Sequence, residues 1–254
     1  MPALPVLLLG GTGEARDLAG RLAARIDLSV ILSLAGRTER PAAQPVPARS
    51  GGFGGVAGLV RYLADARIAA VVDATHPYAD TISRHAALAC AEAGVPRLVL
   101  RRAPWAPLAG DRWHTVADVA DAITALGASP RRVFLAIGRN AVRGFEAAPQ
   151  HAYLVRSVDP VTPPLAVPDA GYLTARGPFA LEDELALLRM HRIDAVVAKN
   201  SGGPATYAKI AAARRLGIEV LMLRRPDPPP GAAVACPEAA IVWLDALVAR
   251  RCAG

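Results

Sequence analysis

Cysteine, lysine, aromatic side chains and long apolar runs are all scarce in this 254-residue chain. The three cysteines, Cys90, Cys236 and Cys252, are odd in number and widely spaced, with no CxxC pair. That excludes a disulfide framework and a zinc site of the usual spacing, and it suits incidental thiols in a reducing cytosol. No metal site is expected. No apolar run reaches the roughly 18 residues that a membrane-crossing helix needs. The opening MPALPVLLLGG lacks the basic segment of a signal peptide and runs straight into a glycine turn. A cytoplasmic protein with no membrane partner is the expectation. Aromatics make up 5% of a chain that is 53% apolar, so its core must be mostly Ala, Val and Leu. With 20% charged residues, the composition is that of a compact globular enzyme, not a disordered chain.

Acidic residues are outnumbered, 22 against 29 basic ones, leaving a formal charge of +7. Such a surplus points to a polyanionic ligand: nucleic acid, a phosphorylated cofactor or a polycarboxylate. Nucleic acid is the weakest of the three, because the arginines lie scattered in ones and twos and no nucleic-acid-binding module is present. Of the 29 basic residues only Lys199 and Lys209 are lysines, and both fall in one short segment.

Short apolar runs alternate with Ala-rich stretches of helical length, the pattern of parallel βαβ units. Strands are expected near 5–9, 28–33, 69–73, 97–100, 132–137, 152–156, 194–198 and 219–223. Helices are expected over 13–25, 56–66, 78–92, 116–126, 178–190, 203–216 and 237–250. Pro-rich loops fill 41–47, 104–107, 159–168 and 226–230. The chain also repeats itself: IAAVVDAT (68–75) aligns with IDAVVAKN (193–200), and GVPRLVLRR (94–102) with GIEVLMLRR (217–225). Similar βα units converge on Val, Leu and Ala anyway, but packing does not require the paired Arg endings. The expected fold is therefore α/β: two doubly wound, mainly parallel Rossmann-like domains, 1–110 and 111–254, with an interdomain cleft as the ligand site. The segment Ala103 to Asp111 is the expected linker.

The first strand runs into Gly10-Gly11-Thr12-Gly13-Glu14-Ala15-Arg16 and then a helix. Glycines permit close backbone approach, and the helix N-terminus offers free N–H groups to a phosphate. The spacing departs from G-x-G-x-x-G, since Arg16 stands where a third glycine might fall. The equivalent turn of the second half, Gly138-Arg139-Asn140-Ala141, keeps only the first glycine, so the first half should carry the cofactor. The second strand ends in Ser33-Leu34-Ala35-Gly36-Arg37-Thr38, with no acid to grip a ribose 2′-hydroxyl. Arg37 there either forks onto a 2′-phosphate, which means NADPH, or lies solvated.

Strand carboxyl ends feeding helices point polar groups at the ligand crevice. One such turn is Asp73-Ala74-Thr75-His76-Pro77-Tyr78-Ala79. Thr75 touches cofactor there or caps the helix, and His76 delivers a proton or only bonds the loop. The other is Lys199-Asn200-Ser201-Gly202-Gly203, with Pro204 starting the next helix. Lys199 at a strand end reads as functional in a chain that otherwise uses Arg. Lys209 should face solvent. Arg156, Ser157 and Asp159 add a further polar rim.

LLLGGTGEARDLA, SLAGRT, VVDATHPYADTIS, VFLAIGRN, YLVRS and AKNSGGPATYAKIAAARRLGIEVLML, in order from Leu7 to Leu223, resemble the precorrin-6A reductase family of cobalamin biosynthesis and its cobalt-precorrin relatives. The resemblance implies two Rossmann-like domains and NADPH-dependent reduction of one double bond in a polycarboxylate tetrapyrrole. Carried over by motif, Gly10, Gly11, Thr12, Gly13, Glu14, Ala15, Ser33, Arg37 and Thr75 would bind the cofactor. His76, Tyr78, Arg156, Lys199, Asn200, Ser201 and Gly202 would face the substrate. His76, Tyr78, Lys199 and Ser201 are the candidates for orientation or proton delivery. A monomer is expected. Cobalt-precorrin-6A as substrate and a non-catalytic NADPH sensor are the alternatives. A short-chain-type carbonyl reductase needs its Tyr and Lys one helical turn apart with three residues between them, whereas Tyr207 precedes Lys209 by two positions, on different helix faces.

Overall fold

Continuous apolar runs without alternation belong in parallel strands covered by helices on both faces. The computed structural model, which describes residues 2–36 and 43–253, puts them there. The first part of the chain forms β1 (Leu4–Leu9), α1 (Gly13–Leu22), β2 (Leu28–Leu34), β3 (Ala48–Ser50), α2 (Gly55–Asp65), β4 (Ala70–Asp73), α3 (Asp80–Ala93) and β5 (Arg97–Leu100). Next come β6 (Trp113–Val116), α4 (Val119–Leu126), β7 (Arg132–Ala136), a 3-10 helix (Ala141–Ala147), β8 (Ala152–Ser157) and β9 (Ala170–Thr174). The chain closes with α5 (Leu181–Met190), β10 (Ala195–Lys199), α6 (Ala208–Leu216), β11 (Glu219–Leu223), β12 (Ala232–Val234) and α7 (Pro237–Ala253).

Two six-stranded sheets result, ordered β12-β5-β4-β1-β2-β3 and β6-β11-β10-β7-β8-β9, with every pairing parallel. Each is the core of a Rossmann-like domain. In the first, β1 lies centrally, with Leu4 opposite Leu28 on one side and Leu9 opposite Asp73 on the other. The orders superpose strand for strand, β1 on β7, β4 on β10 and β5 on β11, which is the repeat visible in the sequence. The repeated glycines are helix terminators: Gly94 and Gly217 follow α3 and α6 at φ +66° and +65°, a left-handed conformation that only glycine adopts cheaply.

The duplication is not a simple tandem. The strand after β5 is β6, which joins the second sheet, while β12, after β11, joins the first. Each carries its following helix with it. The compact units are accordingly Met1–Ala103 with Pro226–Gly254, and Pro104–Arg225. This corrects the single boundary expected at 110/111: the last stretch of chain belongs to the first unit. The exchange is reciprocal in its bonding too. The Arg101 N–H donates to the Val234 carbonyl at 2.9 Å, and the Arg224 N–H donates to the Val116 carbonyl at 2.9 Å. The Arg-Arg endings thus mark where each unit receives its sixth strand.

In the first unit one core layer joins β1, β2 and β4 to α1 and α7, where Ala240 and Leu244 of the returning helix are fully buried. The opposite layer packs Leu7 and Leu9 on Leu59 and Leu63 of α2 and Ala86 and Ala89 of α3. In the second unit, Phe134, Val196 and Met222 pack against Leu185, Leu188 and Ile210. No helix among the described residues is long and apolar enough to cross a membrane.

Candidate functional site

At the end of β1 the chain turns through Gly10, Gly11 and Thr12 into α1. Gly10 donates its N–H to the Ser33 carbonyl at 2.9 Å, and a Cβ on it would sit 2.5 Å from the Leu32 Cδ1, so a side chain cannot be accommodated there without displacing Leu32. Gly11 has φ +121°, which favours glycine. A Cβ on Gly11 or Gly13 would meet no atom within 4 Å. The turn is therefore shaped by glycine at Gly10 and left open above Gly11 and Gly13, the form of a cradle for a ligand pressed against backbone. Thr12 caps α1, its hydroxyl accepting from the Ala15 N–H at 3.1 Å and donating to the Ala74 carbonyl at 2.8 Å. That second bond ties the glycine turn to the turn after β4. Glu14, in the first turn of α1, is ion-paired with Arg102, so its charge at the helix start is compensated.

Ser33, at the end of β2, is buried, and its hydroxyl accepts from Arg49 Nη1 at 2.7 Å. Arg37 lies outside the described residues.

The turn after β4 hangs on a buried polar network. Asp73, 2% exposed, accepts from the Thr75 N–H at 3.2 Å and its hydroxyl at 2.7 Å, and the Thr75 and Ser83 hydroxyls are 3.1 Å apart. Arg97 Nη1 lies 3.9 Å from the other Asp73 oxygen, and its Nη2 donates to the Pro230 carbonyl at 2.6 Å. Thr75 is thus engaged in holding the turn. His76 and Tyr78 sit on that turn, half-buried, with rings 5.8 Å apart. The Tyr78 N–H donates to His76 Nδ1 at 3.3 Å, which leaves the imidazole proton on Nε2.

In the second unit, β7 leads through Gly138, at φ +85°, into a seven-residue 3-10 helix rather than an α-helix. The turn lacks both the second and third glycines and the full α-helical N-terminus behind them. Arg139 there lies 3.9 Å from Asp159.

The Lys199–Gly203 turn is built differently. The Ser201 N–H donates to the Lys199 carbonyl at 2.7 Å, and Gly202 and Gly203 both have positive φ. Asn200 pairs its side-chain amide with the Trp105 backbone, accepting at 2.8 Å and donating at 2.9 Å, while Trp105 Nε1 donates to the Gly203 carbonyl at 2.8 Å. The expected linker is therefore pinned to this turn at Trp105, with Asn200 as its clasp. The α-helix begins at Ala208, well after Pro204.

Arg156 is buried beneath this turn, with both guanidinium arms on Glu184 and its plane 3.8 Å from the Phe179 ring. One further expectation fails there. Lys209 is 4% exposed rather than solvated. Its Nζ donates to the Thr206 carbonyl at 2.6 Å and lies 5.1 Å from the Trp105 ring. Burial, then Arg156, pushes it down to about 7, against the opposing pull of Glu184. The Tyr207 hydroxyl accepts from Arg214 Nη2, which removes the Tyr–Lys pair of a short-chain carbonyl reductase.

The structure therefore gathers Gly10–Ala15 with the Thr75–Tyr78 turn in the first unit, and Lys199, Ser201 and Gly202 in the second. Sequence reasoning missed Arg49, one arginine among 27 with no local motif to mark it, and gave no site role to Arg97 and Arg102 although both lie in the repeated GVPRLVLRR segment.

Comparison with known proteins extends over most of the chain. The profile of the family "Precorrin-6x reductase CbiJ/CobK" matches residues 5–245. A precorrin-6A reductase of Sinorhizobium sp is 58% identical over 223 residues, covering 88% of this chain and 85% of the relative. A cobalt-precorrin-6A reductase of Salmonella typhimurium is 28% identical over 242 residues, covering 88% of each. Among solved structures, CobK precorrin-6A reductase superposes with a TM-score of 0.89 at 50% identity, covering 95% of this chain and 96% of its own.

Proposed function

The chain belongs to the precorrin-6x reductase CbiJ/CobK family, and on that premise we propose NADPH-dependent reduction of one double bond of the precorrin-6A macrocycle. It is an oxidoreductase of cobalamin biosynthesis. The observation that carries the cofactor assignment is the open cradle over Gly11 and Gly13 at the start of a ten-residue α-helix, set against a one-glycine turn and a 3-10 helix in the sister unit. The metal-free macrocycle is favoured because identity to the precorrin-6A relative is twice that to the cobalt-precorrin one.

When bound, NADPH supplies hydride to one carbon of the conjugated ring. The chain's own residues prepare that transfer. Backbone N–H groups of the Gly11–Gly13 turn and the positive end of α1 hold a diphosphate. Arg102 compensates Glu14, which would otherwise repel it. His76 accepts the Tyr78 N–H at Nδ1, so a second proton on the ring would cost it that bond. His76, Tyr78, Lys199 and Ser201 stay the candidates for orienting substrate or bringing the proton to the adjacent carbon, with Lys199 a natural partner for a substrate carboxylate. Proximity and orientation supply most of the acceleration.

The test is loss of NADPH absorbance with precorrin-6A and its cobalt complex assayed side by side. Turnover of the metal-free ring at the higher kcat/KM is expected. Turnover confined to the cobalt complex, or NADPH bound without oxidation by either, would overturn the assignment.

A further inference from the structure

Arg49 sits on β3, in register with Ser33 of β2. It is half-buried, and its placement is fixed entirely by neutral groups. Nη1 donates to the Ser33 hydroxyl at 2.7 Å and to the Gly51 carbonyl at 3.0 Å, Nη2 donates to the Gly52 carbonyl at 3.1 Å, and the guanidinium lies 4.1 Å from the Phe53 ring centroid. Among the described residues no carboxylate lies within 4.0 Å of it, in contrast to Arg97, Arg102, Arg156 and Arg214. Three of its five N–H groups are used. The Nε–H and one Nη2 N–H have no partner among the described residues, and adjacent Nε and Nη2 form the edge that forks onto two phosphate oxygens. A cation so held, with no carboxylate beside it among the described residues, has the make-up of an anion site, because holding a partly desolvated charge this way is unfavourable until an anion arrives.

The fold says which anion. Arg49 lies at the carboxyl end of the sheet, two strands from the glycine turn, a lateral distance of about 10 Å at normal strand spacing. The end of β2 between them is where this fold places the ribose of a dinucleotide's adenosine half. The loops there are locked together: the Gly51 N–H donates to the Leu34 carbonyl at 2.9 Å, and a Cβ on Gly36 would meet Gly51 N at 3.2 Å. We infer that Arg49, held by Ser33 and stacked on Phe53, binds the 2′-phosphate of the cofactor and sets the preference for NADPH over NADH. This rests on the NADPH reading above and adds to it a residue that no motif marks.

Calorimetric titration of the full-length enzyme with NADP+, NAD+ and adenosine 2′,5′-bisphosphate tests it without turnover. In Arg49→Met, affinity for NADP+ and the bisphosphate should fall about 10- to 100-fold while NAD+ changes less than about threefold. Arg49→Lys, which keeps the charge and the fold but loses the fork, should retain part of the preference and serves if Arg49→Met does not fold. Equal losses of NADP+ and NAD+ would show that Arg49 only shapes the loop, and an unchanged preference would show that the phosphate binds elsewhere; either overturns the inference while leaving the NADPH reading intact. A wild-type enzyme indifferent to the phosphate overturns both.

Discussion

Arg101 and Val234 are bonded backbone to backbone at 2.9 Å, although the whole second unit lies between them in sequence. The bond makes the chain's tail a structural part of the unit that carries the glycine cradle. Leu244, fully buried on α7, is the sharpest handle on that dependence. Leu244→Ala should cost about 2–5 kcal/mol of stability in urea denaturation. A loss under about 0.5 kcal/mol would mean that α7 does not pack on the first sheet.

Gly13 and Gly11 should separate ligand space from backbone strain. Gly13→Ala adds a methyl where nothing stands within 4 Å, so stability should hold or rise by up to about 1 kcal/mol while NADP+ affinity drops at least about tenfold. Gly11→Ala, at φ +121°, should instead cost about 1–3 kcal/mol in folding as well. Thermal unfolding and calorimetry on the same samples distinguish the two.

Lys209 gives a pH signature. Its folded value near 7 lies below its usual 10.5, so the unfolded chain holds more protons between those limits and wild-type stability should climb with pH across that window. Lys209→Met should be the more stable protein at pH 6, by about 1–4 kcal/mol, with the gap closing towards pH 10. A gap independent of pH would contradict the burial of the ammonium beside Arg156 and Glu184.

Cys90 is buried, and that burial pushes its thiol up to about 11. In a Cys236→Ser, Cys252→Ser double variant, thiol reagents should react only as fast as the protein unfolds. Rapid labelling at neutral pH would refute this.

Lys199→Ala should lower kcat/KM for the macrocycle by about tenfold or more with NADP+ affinity unchanged, since Lys199 belongs to the second unit and the glycine turn to the first. Steady-state kinetics paired with calorimetry separates this from a general loss of structure.

Eight strands were legible in the sequence because each is a run of buried Val, Leu or Ala, and the glycine turn, the capping glycines and the Arg-Arg repeat marked their ends. The four it hid, β3, β6, β9 and β12, are the four sheet edges. Edge strands pair on one side only and here bury little, as in Ala48–Ser50 and Ala232–Val234, so no apolar run announces them. Composition and pattern likewise marked an α/β chain with a surplus of positive charge and a glycine turn after its first strand. It could not say which sheet the tail would join, that Lys209 would be buried, or that Asn200, Thr75 and Arg156 would serve the framework. Nor could it single out Arg49 from 26 other arginines. Those outcomes depend on which side chains meet across long stretches of chain, and local pattern carries no record of such meetings.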